Sequence, residues 1–180
     1  MGSATNASTG VPTGIAVDPS TNMVYVTEFG INSLTVINAS TNTVVANVPV
    51  GNYPYAVAVN PLTDMLYVAD FNDNSVSVVN ASANAVVDTV PVGSSPIDLS
   101  VDPSLSVVYV TDWGSNSTSV IDCSTNVVIA DVPVGGLPMG IAVDPNGGLV
   151  YVGNTRSGSV SVISTYSVSD NWLRSLHRVV

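Results

Sequence analysis

A 42-residue period governs this chain. Tyr25-Val26, Tyr67-Val68, Tyr109-Val110 and Tyr151-Val152 stand 42 residues apart. The same step joins Pro12, Pro54, Pro96 and Pro138, and it joins Asp18-Pro19, Asn60-Pro61, Asp102-Pro103 and Asp144-Pro145. Val50-Gly51, Val92-Gly93 and Val134-Gly135 keep it too. No insertion disturbs the register between Pro12 and Ile163. Self-similarity at a fixed period of this size marks one supersecondary unit copied in series. The 180 residues therefore divide into repeats over 11–165, with units at about 11–51, 52–93, 94–135 and 136–165. Residues 1–10 read as an N-terminal extension or a cloning remnant, and 166–180 as a divergent tail.

Each unit resolves into four short strands. The first follows the repeat proline: Gly14–Val17, Ala56–Val59, Asp98–Val101 and Gly140–Val143. One side of it is aliphatic and the other holds Gly, Ala, Ser or Asp, the period-two alternation of a strand. An Asx-Pro turn follows, in which proline presets the dihedral and the Asx side chain bonds the backbone two residues on. The second strand, Met23–Thr27 and its copies, is nearly all apolar, which suits burial on both faces. Ser33–Ile37, Ser75–Val79, Ser117–Ile121 and Ser159–Ile163 form the third. The fourth is Val44–Val50, Val86–Val92 and Val128–Val134, with Pro49, Pro91 or Pro133 near its end. Proline cannot donate to a ladder, so this strand belongs on the outer edge. Four-stranded units of about 42 residues, with small residues on the innermost strand, describe the blades of an all-β propeller.

Composition narrows the function classes. There is no Lys or Gln, and the only acid of the Glu type is Glu28; 13 acids face 3 bases, for a net charge of -10. A nucleic-acid partner is not expected, because no basic patch can be built. No apolar run reaches the length of a membrane span. The single cysteine, Cys123, excludes an internal disulfide or a multi-cysteine metal site, and it reads as a free surface thiol. His177, the only histidine, lies in the tail.

Tyr25-Val26-Thr27, Val17-Asp18-Pro19, Ser75–Val79 and Val48-Pro49-Val50-Gly51 resemble the YVTN-type β-propeller repeat of surface-layer and secreted proteins. The resemblance covers roughly 10–165. Relatives by fold include surface-layer modules, antibiotic-inactivating lyases, lactonases and haem-bearing reductases, so it implies a fold and an extracellular or cell-surface setting more than an activity. One departure is regular. The Asn that follows the YVT triplet in the family is replaced here by Glu28, Asp70 and Asp112, and returns only as Asn154.

Those positions open the only recurring polar-aromatic cluster: Glu28-Phe29, Asp70-Phe71 and Asp112-Trp113, with Tyr53, Tyr55 and Met139 on the same propeller face. Two readings stand. In one, Glu28, Asp70 and Asp112 converge to hold a hard cation such as Ca²⁺, the only cofactor the sequence suggests, beside aromatics that bind a sugar or an apolar ligand. In the other, each Asp serves its own turn and each aromatic covers a blade seam. Asp98 interrupts the small face of an inner strand and is expected to line a solvated axial channel. Asn38, Asn80 and Asn116 lie in glycosylation sequons.

No catalytic constellation emerges, since acid–base chemistry near neutrality usually recruits His or a tuned Lys. The expected function is a non-enzymatic extracellular or cell-surface module for assembly, adhesion or binding of a protein or carbohydrate ligand. The alternatives are a metal-dependent lyase or lactonase using the acidic cluster, or a fragment of a longer propeller. The fourth unit lacks its fourth strand, where 169–176 reads Ser-Asp-Asn-Trp-Leu-Arg-Ser-Leu. Either four blades close a small ring, or the chain is a half-ring that self-associates through its incomplete end, a second copy completing eight blades, the option favoured here, or copies polymerise head to tail.

Overall fold

In the computed structural model, residues 10–165 and 178–179 are described. The first blade comprises β1 (Val11–Asp18), β2 (Met23–Phe29), β3 (Ser33–Asn38) and β4 (Thr43–Pro49). The second comprises β5 (Pro54–Asn60), β6 (Met65–Asp70), β7 (Ser75–Asn80) and β8 (Ala85–Pro91). The third holds β9 (Pro96–Asp102), β10 (Val107–Asp112), β11 (Ser117–Asp122) and β12 (Val127–Pro133). The fourth has three full strands, β13 (Pro138–Asp144), β14 (Leu149–Asn154) and β15 (Ser159–Ser164), plus the two-residue β16 (Arg178–Val179). Each sheet is an antiparallel meander in chain order, so the proline-bearing fourth strands lie at the edges as expected. In the fourth blade Arg178–Val179 pairs with β15 at that edge. The rest of the expected tail, 166–177 and 180, lies outside the described residues.

Left-handed residues close the hairpins. Asn22, Asp64 and Ser106 take φ between 54° and 58° at the first turn, and Asn32, Asn74 and Asn116 do so at the second. Asn42, Asn84 and Asn126 take φ between 50° and 54° at the third. Asn tolerates this conformation because its short polar side chain bonds locally. The abundance of Asn is therefore a consequence of turn geometry. The amide oxygens of Asn32, Asn74 and Asn116 also accept the backbone N–H of Tyr53, Ser95 and Leu137, 21 residues on. Each second turn thereby fastens the connection to the next blade.

The core consists of three seams between blades. Tyr25, Leu34, Val36 and Val48 of the first blade pack against Val57, Leu66, Val68 and Val79 of the second. Tyr67, Val76, Val78 and Val90 then meet Leu99, Val108, Val110 and Ile121 of the third. Tyr109, Val120 and Val132 meet Val150, Val152 and Ile163 of the fourth. A blade thus has a trailing face, with the repeat tyrosine, and a leading face, with the aliphatic side of its inner strand. Inner strands pack in the order β1, β5, β9, β13, and β13 makes no comparable packing on β1. The described blades form an open arc.

Cys123 is half-buried rather than a surface thiol, packed into the seam beside Tyr67. Its repeat equivalent Ala81 occupies the same place in the preceding seam. Burial pushes its thiol pKa up, which lowers its reactivity.

Candidate functional site

The acidic positions end the second strands, and the structure buries them. Glu28 is 8% exposed, and Asp70 and Asp112 are fully buried. Asp70 Oδ2 accepts the Ser77 hydroxyl at 2.6 Å, and Ser77 Oγ accepts the N–H of Gly51 at 3.3 Å. Asp112 repeats this with Ser119 at 2.7 Å and Gly93. In the fourth blade Asn154 donates Nδ2 to Ser161 Oγ at 2.9 Å, which accepts from Gly135. Glu28 departs, accepting the Thr35 hydroxyl at 3.4 Å. Asp70 and Asp112 therefore work one by one, as clasps between a blade and the connection entering it, whereas Glu28 bonds within its own blade. Among the described residues no three His, Cys, Asp or Glu side chains stand together as a cation-binding group.

The clasp explains the repeated glycine. A Cβ on Gly51 would stand 2.5 Å from Asp70 Cγ, and one on Gly93 would stand equally close to Asp112 Cγ. Gly51→Ala is expected to destabilise the fold by about 1–3 kcal/mol through overpacking. Thermal unfolding checks this, and an unchanged midpoint would show that the carboxylate moves aside without cost.

Burial also changes the chemistry of these carboxyls. Oδ1 of Asp70 and of Asp112 is buried without a hydrogen-bond partner. Desolvation raises both pKa values to about 7, against the lowering contributed by the serine hydroxyls.

The aromatic positions do converge. Phe29 lies edge-on to Tyr53 with ring centroids 4.4 Å apart, and to Tyr55 at 6.0 Å. Tyr55 continues to Phe71 at 6.0 Å, and Phe71 to Trp113 at 6.2 Å. Five rings thus form a continuous row over three blades. Tyr53 is exposed and the other four are half-buried. The row stops where the fourth blade has Thr155, whose hydroxyl donates to the carbonyl of Leu137.

Nearer the axis, Gly14, Ala56, Asp98 and Gly140 line one groove of about 280 Å³ together with Met139. Asp98 lies there as expected, but it is not a carboxylate served by solvent alone. Its Oδ2 accepts the N–H of Ile141 at 3.1 Å and its Oδ1 that of Leu99 at 2.9 Å, so it ties the third inner strand to the fourth. Of the sequon residues, Asn38 and Asn80 use Oδ1 to accept turn N–H groups, and Asn116 is exposed.

Fold and site together define an open, propeller-like stack of blades with one aromatic face. No family model and no curated protein matches the chain. Among solved structures it is similar to hydrazine synthase of Kuenenia stuttgartiensis, at 25% identity and a TM-score of 0.80, over 94% of this chain and 49% of that one. It is also similar to a functionally unknown protein from Desulfotomaculum acetoxidans, at 16% identity and a TM-score of 0.77, over 90% of this chain and 54% of that one. The chain thus spans about half the length of these two. A total of 1203 solved chains match, a breadth that establishes the architecture and selects no activity.

Proposed function

We propose that this chain is a non-enzymatic binding module of the cell surface or cell exterior, which captures a carbohydrate or protein ligand on its loop face. The aromatic row carries this reading. Five partly exposed rings in contact present an apolar, rigid strip whose ordering cost has been met in the fold, the property that makes aromatic anchors effective in recognition. Asp70 and Asp112 are engaged in clasps, which supports a binding role over acid–base chemistry. Sequons at Asn38, Asn80 and Asn116 and the resemblance to the YVTN-type repeat support the extracellular setting.

A glycan array and a pull-down from the culture surface identify the ligand, and two variants test the site. Phe71→Ala and Trp113→Ala are each expected to weaken binding by roughly 10- to 30-fold, the scale of a truncated aromatic anchor. Variants that bind as the parent does would remove the row from the site.

A further inference from the structure

Three times in this chain a trailing face is covered by the leading face of the next blade, and the fourth trailing face is built alike but open among the described residues. In the first seam the inner strand of the second blade seats on Gly14, so that a Cβ there would stand 2.6 Å from the Tyr55 carbonyl oxygen. At Gly140, the equivalent in the fourth blade, a Cβ would meet nothing within 4 Å. Thr27 donates to the carbonyl of Tyr55, and Thr111 to that of Met139, each bonding the next inner strand. The fourth blade instead shows a groove of about 370 Å³ lined by Met139, Gly140, Gly153, Asn154 and Val160. Tyr151 is 39% exposed, although Tyr25, Tyr67 and Tyr109 are at most 2% exposed. The opposite end shows the counterpart. Ile15 is 69% exposed, while its equivalents Val57 and Leu99 are 7% and 6% exposed.

We propose that the trailing face of the fourth blade receives the leading face of the first blade of a second copy, head to tail. The occupant follows from the seams already present. The surface that fills an open trailing face is a leading face, and among the described residues this chain carries one uncovered, at β1. Its Thr13-Gly14 stands where β5 has Tyr55-Ala56, so a smaller strand enters the groove. Ile15, Val17, Tyr151 and Val160 are uncharged, so the contact sets no like charges against each other despite a net charge of -10. Arg178–Val179 pairs with the edge of β15, in the plane of that sheet rather than across its face. Two copies joined twice in this way share a two-fold axis along the centre of the ring. The inference does not rest on the aromatic row.

Light scattering on the full chain tests it. The wild type is expected at multiples of 18.4 kDa. Ile15→Asp and Tyr151→Asp, each at an exposed position of the single chain, are expected to be monomeric with an unchanged circular dichroism spectrum. Their mixture retains one intact pairing and is expected to form a dimer. Val17→Asp with Val160→Asp forms a second such pair should either first variant misfold. A wild type that stays monomeric at about 100 µM, a hundredfold above a micromolar dissociation constant, would overturn the proposal and leave the face to another polypeptide. Variants that associate alone, or a mixture that stays monomeric, would overturn it equally.

Discussion

Tyr67→Ala is expected to cost about 3–5 kcal/mol of folding stability, the range for deleting a large buried ring. Tyr67 is fully buried in the middle seam, between Val76, Val78 and the third blade's Leu99 and Val108. Its removal leaves a cavity bounded by two sheets, and sheets held by their own ladders cannot close over it. The same substitution at Tyr151 is expected to cost under about 0.5 kcal/mol in dilute solution, as exposed sites do. The pair holds sequence context nearly constant, because both residues open the same repeat triplet. Urea unfolding of the two variants checks the contrast. Equal losses would mean that the tyrosines act within their own sheets and that the seams are not the core.

This contrast also shows what could be read from sequence. Strand order was legible because each turn and each edge proline recurs at 42 residues, and repetition turns a weak local signal into a strong one. Phe29, Phe71 and Trp113 were legible as a set for the same reason, since equivalent positions of stacked blades lie side by side. The buried clasps were not. Asp70 follows the strand triplet and precedes polar turn residues, which reads as a turn carboxylate. Its burial is imposed by Gly51 from the connection before it. The recurrence of Gly51, Gly93 and Gly135 in step with Ser77, Ser119 and Ser161 was the available signal. Asp98 reads from sequence as lining a solvated channel, whereas its partner amide is 43 residues away on the next blade, beyond any local signal. Cys123 reads as a surface thiol because it sits in a turn, yet the seam between blades, not the turn, decides its burial.

Stability is expected to fall as the pH rises from about 4 to about 7. In the unfolded chain the carboxyls of Asp70 and Asp112 titrate near 3.8, whereas burial raises both to about 7 in the fold. Between these values the native state holds protons that the unfolded state has released, so the slope of stability with pH is negative. Below about 4 both states are protonated, and above about 7 both are ionised and the loss is complete. A difference of about three pH units corresponds to at most about 4 kcal/mol for each carboxyl. Burial pushes Asp98 in the same direction. An acid limb opposes them. Asp18, Asp73 and Asp122 are held below the usual carboxylate range by the side chains of Ser20, Asn52 and Ser124, and what they contribute is lost as the pH drops through their lowered values. Maximum stability is therefore expected near pH 4. The double variant Asp70→Asn, Asp112→Asn separates the clasps from the rest. Asn154 already serves that position in the fourth blade, donating to Ser161 while Gly135 donates to the same oxygen. Denaturant unfolding should show the variant with a shallower slope from pH 5 to pH 8, the part left to Asp98, equal to the wild type near pH 4 and more stable by several kcal/mol at pH 8. A variant with the wild-type slope would place the titration elsewhere, and a variant weaker at every pH would mean that the clasps need the carboxylate itself.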